Sequence, residues 1–226
     1  FISNAVNSIL KQEISDHNYE ILIADGMSTD GTRQIIKTFQ KKNKNIFLFD
    51  NQKKIVSTGF NIALTKAKGN IIIRLDGHAE FPPDYFKKCL KALIKKKTYC
   101  VGGIIIYKYK GIIGESIKIA QSSNFGVGGV TFRKKNIKAK FVDTLAFGAY
   151  DRKIFELMGG YDEELIKNQD DEFNFRMNQK GYKIWIDPQI KSVYHSRDSF
   201  RKLFMQYFLY GFYKVRVMQK RNCFSS

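Results

Sequence analysis

The sequence predicts an α/β fold in which helices flank a mostly parallel β-sheet. Over the first 100 residues, apolar strand-like runs alternate with amphipathic helix-like segments. Three of these runs end in an aspartate, namely Asp25, Asp50 and Asp76. The chain of 226 residues is 43% hydrophobic and has no apolar run near the ~18 residues that span a membrane. These observations indicate a single globular domain with a sizeable core.

The first elements follow in order from this alternation. An amphipathic helix at about residues 3–12 precedes the strand YEILIAD and the loop GMSTDGT. A helix over residues 32–42, capped by Asp30 or Thr29, leads to the strand NIFLFD. A helix over residues 57–66 then leads to the strand NIIIRLD. Ligands bind beyond the carboxyl ends of the strands in such sheets, so we expect the chemistry at the aspartates that close them.

The second part of the chain is less regular. YCVGGIIIY predicts a strand, and FVDTLAFGAYDRKIFELMGGYDEEL predicts a strand that passes through Gly148 into a short helix and a Gly-Gly turn. QDDEFNFRMNQKGYKIWID predicts a helix stopped by Gly181 and a strand stopped by Pro188. Residues 199–220 predict one long aromatic and basic helix. The glycine-rich stretch FGVGGVTF lacks a clear strand before it and a helix after it, so it is a weak dinucleotide signature.

The net charge of +18 favours anionic partners, such as phosphates, nucleic acid or an anionic membrane surface. Six lysines lie between Lys87 and Lys97, but apolar residues recur on the opposite side of this predicted helix, including Phe86, Leu93 and Ile94. This pattern favours a solvated helix face over a binding role. Residues 191–226 carry eight basic residues and one acid.

The cysteines Cys89, Cys100 and Cys223 are unevenly spaced and form no C-x-x-C pair. This spacing indicates a reducing compartment and argues against disulfides and against a zinc site built on thiolates. The chain has neither a G-x-x-x-x-G-K-[ST] phosphate loop nor a G-x-S-x-G nucleophile elbow. We therefore expect the catalytic groups to be aspartate or glutamate side chains.

Two groups of residues could carry chemistry. Asp76 and His78 flank a glycine at the end of the third strand, and their oxygen and imidazole ligands suit Mn²⁺, and Mg²⁺ less well because of the nitrogen. By itself, His78 is more typical of an incidental polar residue at a strand exit. Asp170 and Asp171 begin a predicted helix, where one could act as a general base or both could stabilise the helix N-terminus. The residues leave these interpretations open.

Segments in order along nearly the whole chain resemble family 2 glycosyltransferases. ILIADGMSTDGTRQII is similar to their segment D-[DG]-x-S-x-D-x-T, and GNIIIRLDGHAEFPPDYF is similar to their strand end D-x-D. FGAYDRKIFELMGGYDEEL with NQDDEFNFRM resembles their acceptor segment. YHSRDSFRKLFMQYFLYGFYKVR resembles the Q-x-x-x-Y-G-x-x-K helix of members that build exopolysaccharides of the succinoglycan type. Each match is modest, but their occurrence in order is specific.

The resemblance implies a GT-A fold, which is Rossmann-like, in a single glycosyltransferase domain over residues 1–226. The nucleotide-sugar half would be residues 1–100, the acceptor half residues 101–198 and the aromatic and basic closing helix residues 199–226. The first strand of the family, V-S-[IV]-I-I-P-x-[YR]-N-E, has no counterpart, which would leave a gap in the sheet. We therefore expect a chain that is truncated at both ends.

The resemblance also implies a function, which is inverting transfer of a sugar from a nucleotide-diphosphate sugar, most often a UDP-sugar, with a divalent Mn²⁺ or Mg²⁺. Asp25, Lys53 and Asp76 would bind the nucleotide sugar, with Asp25 at the nucleobase and Asp76 at the ribose and diphosphate. Asp76 and His78 would hold the metal. Asp170 would be the general base that deprotonates the acceptor hydroxyl.

On the acceptor side, the resemblance implies roles for a second acid and for the closing helix, near the diphosphate or the acceptor. The residues concerned are Asp171, Arg197, Gln206, Tyr210 and Lys214. The chain departs from the family at two of its motif positions. His78 replaces the usual second aspartate of the strand end, and Gln169 replaces the usual glutamate before the base.

The implied acceptor is a saccharide or a lipid-linked sugar in bacterial cell-surface or exopolysaccharide synthesis. Aromatic residues stand beside basic ones in the last predicted helix, which fits either an interfacial helix on anionic lipid or packing in the core. We expect a cytoplasmic protein, peripheral at the inner face of the plasma membrane, without a nucleic-acid partner. The alternatives are an inactive family member or fragment that binds nucleotide or membrane only, and a basic nucleic-acid-binding protein, although no such motif is present.

Overall fold

The computed structural model describes residues 1–14, 17–109, 111–123, 131–133, 136–195 and 199–222. The helices are α1 (Ile2–Leu10), α2 (Thr32–Lys42), α3 (Val56–Lys66), α4 (Tyr85–Lys96), α5 (Gly111–Ser122), α6 (Lys153–Met158), α7 (Gln169–Gln179) and α8 (Phe200–Arg221). The strands are β1 (Ile21–Asp25), β2 (Ile46–Asp50), β3 (Ile71–Ile73), β4 (Ala79–Glu80), β5 (Cys100–Lys108), β6 (Lys140–Val142), β7 (Ala149–Asp151) and β8 (Ile184–His195). A short 3-10 helix, Thr131–Arg133, follows α5.

The first two strands form a separate, parallel sheet. β1 and β2 align so that Asp25 lies opposite Asp50 at their shared carboxyl end. α2 connects the two strands and buries Ile36, while α3 packs against both strands. The predicted alternation of strand and helix is therefore confirmed here, and it brings two of the strand-end acids to one edge.

The remaining strands form a mixed sheet in the order β3-β7-β5-β8-β4, with β6 also paired to β8. β5 and β8 run parallel, whereas β7 runs antiparallel to both β3 and β5. The predicted α/β class with flanking helices is confirmed. Because β7 pairs with β3, the later part of the chain lies directly against the strand that precedes Asp76.

A gap separates the two sheets, as the sequence predicts. β1 bonds to β2 on one side and β3 bonds to β7 on one side, and no strand within the described ranges joins β1 to β3. Ile71, Ile72 and Ile73 of β3 are accordingly only partly buried. Within the described ranges, β1 and β3 therefore each have one edge without a paired strand.

β8 is longer than the sequence predicts. The prediction that the strand stops at Pro188 is wrong, because the strand continues to His195. Its pairing with β5 shifts after Gly102, and Pro188 lies in the resulting bulge, where a missing backbone N–H is tolerated. A Cβ on Gly103 would lie 1.8 Å from the Ile190 carbonyl oxygen, so glycine is required there.

The lysine-rich helix α4 has the two faces that the sequence predicts, with one exception. Its buried residues are Tyr85, Phe86, Cys89, Ala92 and Leu93. Lys87, Lys91 and Lys95 are exposed to solvent. Ile94 was predicted on the buried side but is 78% exposed, because the core contacts of this helix end at Leu93.

The closing helix α8 has a buried C-terminal part and an exposed apolar N-terminal part. Tyr213 and Val217 pack with Leu165 in a small core cluster of their own. Four phenylalanines, exposed by 60, 67, 56 and 46%, recur every fourth residue along the helix: Phe200, Phe204, Phe208 and Phe212. The core-packing interpretation therefore holds for the C-terminal part of the helix, and the interfacial interpretation of the exposed part stays a prediction. Among the described helices, none combines the length and the apolar character needed to cross a bilayer.

Candidate active site

One open cleft of about 1260 Å³ lies where the end of β3 faces α7 and α8. It brings together predicted site residues from distant parts of the sequence. Those that line it are Asp76, His78, Asp170, Asp171, Gln206, Tyr210 and Lys214. Asp25 and Lys53 lie outside its lining, and Arg197 falls outside the described residues. Of the three residues predicted to bind the nucleotide sugar, Asp76 thus lies in one cavity with the predicted base and the predicted closing-helix residues.

Asp25 closes β1, and only 5% of its side chain is exposed. Its carboxylate accepts hydrogen bonds from the Ser28 N–H at 2.9 Å, the Ser28 hydroxyl at 2.7 Å and Arg33 at 2.9 Å. Arg33 also pairs with Asp50 at 2.5 Å, which ties the two strand ends together. Burial by itself would raise the pKa of Asp25, but the hydrogen bonds from Ser28 and Arg33 hold that pKa below its ordinary value. Asp25 is therefore a fixed, ionised acid.

Lys53 lies at the surface, with 68% of its side chain exposed. Its ammonium group pairs with Glu163 at 2.9 Å, and Asn61 donates to the same carboxylate at 3.1 Å. Glu163 follows α6, so this pair joins the two halves of the chain. The assignment of Lys53 to the nucleotide sugar stays a prediction.

Arg74, which the motifs did not single out, is at the centre of the charges in the cleft. Its guanidinium donates to Asp76 Oδ1 at 3.0 Å and to Asp170 Oδ2 at 2.9 Å. Only 9% of the Arg74 side chain is exposed. Burial by itself would lower the pKa of Arg74, but the two carboxylates raise that pKa above its ordinary value. One charged arginine therefore links the acid predicted at the diphosphate to the acid predicted as the base.

The sequence did contain a signal for Arg74. It interrupts the apolar strand run IIIRLD, and a charge in such a run is expected to be buried and paired. The partner could not be read from the sequence, because Asp170 is 96 residues away along the chain.

Asp76 and His78 line the same part of the cleft, and the His78 ring meets the Tyr194 ring edge-on at 5.0 Å between centroids. Across the described residues, no three His, Cys, Asp or Glu side chains converge as a metal-binding group. Ions such as Mg²⁺ are commonly held by one or two carboxylates and by substrate phosphates. Arg74 engages one oxygen of Asp76 and leaves the second oxygen for an ion. The oxygen and imidazole donors of Asp76 and His78 are compatible with a divalent ion, and this metal assignment stays a prediction.

Asp171 is fastened to the closing helix by an ion pair with Lys214 at 2.7 Å. Burial raises the pKa of Asp171, and the nearby charge of Asp170 adds to the rise, whereas Lys214 opposes it. The net direction is upward. α8 is therefore held directly at the residue beside the predicted base.

Further contacts hold α8 against α7. Asn168, which precedes α7, donates to the Tyr210 carbonyl oxygen at 2.8 Å, and the Tyr210 hydroxyl accepts from Gln206 at 2.9 Å within α8 itself. The fully buried Glu172 accepts from Arg221 near the end of α8 at 2.7 Å. The acids in the first turn of α7 are thus not merely caps, because Asp170, Asp171 and Glu172 each have a cationic partner on another element or on the helix itself.

Residues 1–158 match the family described as Glycosyl transferase family 2. The chain belongs to glycosyl transferase family 2. The matched region contains Asp25, Lys53, Asp76 and His78 and ends at the end of α6. α7 and α8 lie beyond it, so the roles of Asp170 and of the closing helix depend on the geometry of the cleft.

Two curated relatives match most of the chain. The dolichyl N-acetyl-alpha-D-glucosaminyl phosphate 3-beta-D-2,3-diacetamido-2,3-dideoxy-beta-D-glucuronosyltransferase of Methanococcus voltae is 32% identical over 230 residues, which are 97% of this chain and 70% of that protein. The succinoglycan biosynthesis protein ExoA of Rhizobium meliloti is 30% identical over 206 residues, which are 89% of this chain and 62% of that protein. The chain therefore spans about two thirds of the length of these relatives.

Two solved structures share the fold. The mannosyltransferase PcManGT from Pyrobaculum calidifontis, in complex with GDP-Man and Mn²⁺, superposes with a TM-score of 0.64 at 18% identity, over 85% of this chain and 52% of that one. Staphylococcus aureus TarS, in complex with UDP-GlcNAc, superposes with a TM-score of 0.64 at 19% identity, over 88% of this chain and 56% of that one. These likenesses confirm the predicted GT-A fold.

Proposed function

We propose that this chain carries the catalytic centre of an inverting glycosyltransferase that uses a nucleotide-diphosphate sugar, a UDP-sugar in the first instance. The acceptor is a saccharide or a lipid-linked sugar in the synthesis of a cell-surface polysaccharide. The observation that carries the proposal is the Arg74 bridge, which holds Asp76 and Asp170 in one cleft. The names of the Methanococcus voltae relative and of ExoA support it, because they describe a glycosyltransferase and a polysaccharide-biosynthesis protein.

Asp170 acts as the general base in this proposal. Its carboxylate takes the proton of the acceptor hydroxyl, whose oxygen forms a bond to the anomeric carbon. The bond from that carbon to the diphosphate breaks on the opposite side, and its electron pair leaves with the nucleoside diphosphate. One displacement of this kind inverts the anomeric configuration. Arg74 and the Asp171 N–H each engage one oxygen of Asp170, and every carboxylate oxygen has a second lone pair for the incoming proton.

Asp76 and His78 would hold a divalent ion, Mn²⁺ or Mg²⁺, which when bound neutralises the diphosphate and favours its departure. Arg74 adds a fixed positive charge behind Asp76, in a position that water reaches poorly. Such preorganised charge is effective where negative charge develops on the leaving group.

Calorimetric titration with UDP and Mn²⁺ tests the donor site. We expect heat of binding in the wild type and its loss in Asp76→Ala. No heat in the wild type would favour the inactive alternative. A screen of UDP-, GDP- and dTDP-sugars for hydrolysis then identifies the donor, since an active centre of this type slowly transfers the sugar to water.

The exposed face of α8 supports a peripheral membrane location at the cytoplasmic face. Phe200, Phe204, Phe208 and Phe212 form an apolar stripe, and Arg201 is exposed beside it. Apolar stripes with flanking basic residues lie in the interface of anionic bilayers. The opposite face of the same helix lines the cleft, so a membrane-bound α8 would bring a lipid-linked acceptor close to the cleft.

Vesicle flotation tests this location. We expect the wild type to bind phosphatidylglycerol vesicles more than phosphatidylcholine vesicles, and Phe204→Ser with Phe208→Ser to bind weakly. Leu157→Ser is the control, because Leu157 is an exposed apolar residue, 58% exposed, on α6 and not on α8. Equal binding by the α8 variant and this control would contradict the membrane proposal.

A further inference from the structure

The acceptor end of the cleft contains an arginine that lacks an acidic partner. Arg133 lies in the 3-10 helix that packs on β5, and it donates one hydrogen bond, to the Tyr207 hydroxyl at 3.3 Å. Its Nε is buried without a hydrogen-bond partner. Along the described ranges, no carboxylate forms an ion pair with it. A half-buried guanidinium of this kind is costly unless a ligand supplies an anion.

The hydroxyl groups near Arg133 do not neutralise it. Burial raises the pKa of Tyr107 to about 12, and the opposing pull of Arg133 does not cancel that rise. Tyr107 is therefore a neutral phenol at physiological pH, as is any tyrosine with its ordinary pKa. The guanidinium remains charged because arginine does not lose its proton in proteins.

Other buried polar atoms at the cleft also lack partners. They are the amide Oε1 atoms of three glutamines, which come from three different helices: Gln121, Gln169 and Gln206. Gln121 and Gln169 are each only 5% exposed, and all three line the cleft with Arg133. Buried polar groups are nearly always hydrogen-bonded, so these oxygens indicate places in the cleft where a ligand could complete the bonds. Amide oxygens accept from hydroxyl or amide N–H groups, which sugars provide.

Arg133 contacts the closing helix α8, on which the predicted residues Gln206, Tyr210 and Lys214 also lie. Tyr207, which contacts Arg133, and Lys214, which contacts Asp171 beside the predicted base, are both on α8. They are separated by seven residues, or about 10 Å along a helix at its usual rise. An anionic group at Arg133 would therefore lie at some distance from the base, with the intervening sugar between them.

We propose that Arg133, together with Gln121, Gln169 and Gln206, forms an acceptor subsite for a sugar that carries an anionic group, either a phosphate or a carboxylate. The phosphate would be that of a lipid-linked sugar phosphate, and the carboxylate that of an acidic sugar residue. The inference rests on the proposed sugar transfer in the same cleft, since it assigns the acceptor of that reaction. It adds a charge requirement that the donor chemistry does not demand.

The test measures binding of soluble sugars after the wild-type protein is saturated with UDP and Mn²⁺, so that the diphosphate site is filled. The probes are N-acetylglucosamine 1-phosphate, glucuronate and the neutral methyl N-acetylglucosaminide. We expect at least one charged probe to bind about tenfold more tightly than the neutral one, the order of effect for a charge-assisted hydrogen bond. Preference for the phosphate alone or for glucuronate alone identifies the source of the anion.

Arg133→Gln should abolish that preference, whereas Arg133→Lys should keep part of it and Tyr207→Phe should weaken it. Lys37→Gln is the matched control, because it removes one positive charge from an exposed position on α2, away from the cleft. If Arg133→Gln unfolds, the lysine and phenylalanine variants still decide the question. Equal binding of the three probes, or a preference that survives loss of the Arg133 charge, would overturn the subsite. Failure of the wild type to bind UDP would instead contradict the proposed function.

Discussion

The donor side and the acceptor side of the cleft differ in how their charges are satisfied. On the donor side, Asp76 is ion-paired with Arg74 in the cleft, and Asp25, which lies outside the cleft lining, is ion-paired with Arg33. On the acceptor side, the Arg133 Nε and three buried glutamine oxygens have no hydrogen-bond partner among the residues that the structure describes. The protein thus supplies the ion-pair partners of the donor side itself, and it leaves polar atoms of the acceptor side without hydrogen bonds.

This difference indicates that the two sides are prepared for substrates in different ways. Paired charges hold their side chains in place before any ligand binds, so the donor side is preorganised. Unpaired buried groups favour the ligand that supplies their missing bonds, and they reject analogues that lack those groups. The acceptor side would therefore set specificity, and the donor side would set the geometry of transfer. Arg74 belongs to both, because it reaches Asp170 across the cleft.

The largest expected effect is on the transfer step. Asp170→Asn should lower kcat by about 10²–10⁴-fold, the usual contribution of a general base, while UDP binding is retained. Asp84→Asn is the control, because Asp84 pairs with Lys88 on α4, outside the cleft, and should leave kcat unchanged. Single-turnover kinetics and calorimetry measure the two quantities separately. Equal loss of UDP binding and transfer would show that Asp170 belongs to the donor side.

A second expected effect concerns the Arg74 bridge. Arg74→Met should lower the free energy of unfolding by roughly 3–5 kcal/mol, because it leaves two carboxylates close together without their shared cation. Urea unfolding measures this loss. The double variant Arg74→Met with Asp170→Asn should lose less than the sum of the two single variants, since the asparagine removes one of the stranded charges. Additive losses would mean that the bridge is not a coupled unit.

A third expected effect is a pair of opposite pH dependences. The pKa of Asp25 is lowered on folding, so its stabilisation is present above the ordinary value of 3.8 and is lost as pH falls through the folded pKa. The pKa of Asp171 is raised, so its contribution is present below 3.8 and is lost as pH rises through the folded pKa. The free energy of unfolding of the wild type should fall as the pH drops through the folded pKa of Asp25, and Asp25→Asn should remove this fall. Chemical unfolding across acidic pH measures it. Asp171→Asn should instead remove a decrease in the free energy of unfolding that occurs as the pH rises. If both variants changed the pH dependence of stability in the same direction, the predicted difference between Asp25 and Asp171 would be wrong.

The smallest expected effect is at Lys53. Its ion pair with Glu163 is exposed, and such pairs contribute only about 0–1 kcal/mol, so Lys53→Ala should leave the midpoint of urea unfolding nearly unchanged. Calorimetry then decides its predicted role in the donor site. A clear loss of UDP affinity with unchanged stability would place Lys53 at the nucleotide sugar, and unchanged affinity would remove it from the site.

Local patterns in the sequence were sufficient for the family, the α/β class and the order of the first strands and helices. They also placed Asp25 at a strand end and Asp170 at a helix start, because hydrophobic periodicity and short motifs are properties of neighbouring residues. The prediction that the third strand runs to Asp76 is wrong, because β3 ends at Ile73. The prediction that the last strand ends at Pro188 was wrong because a bulge accommodates the proline. The bulge lies in the pairing with β5, which the local sequence around Pro188 does not show. The prediction that Ile94 is buried was wrong because hydrophobic periodicity does not show where the contact of a helix with the core ends.

The sequence by itself determined which charged and polar residues this protein has and on which elements they lie. Only the tertiary structure decided which of them meet. Arg74 and Asp170 are 96 residues apart, and Arg133 and Tyr207 are 74 residues apart, so their contacts depend on the antiparallel return of β7 and on the packing of α8 over the cleft. The same packing decided which polar atoms stay unpaired. The physical reason is that an electrostatic partner is defined by distance in space and by burial, and neither follows from separation along the chain.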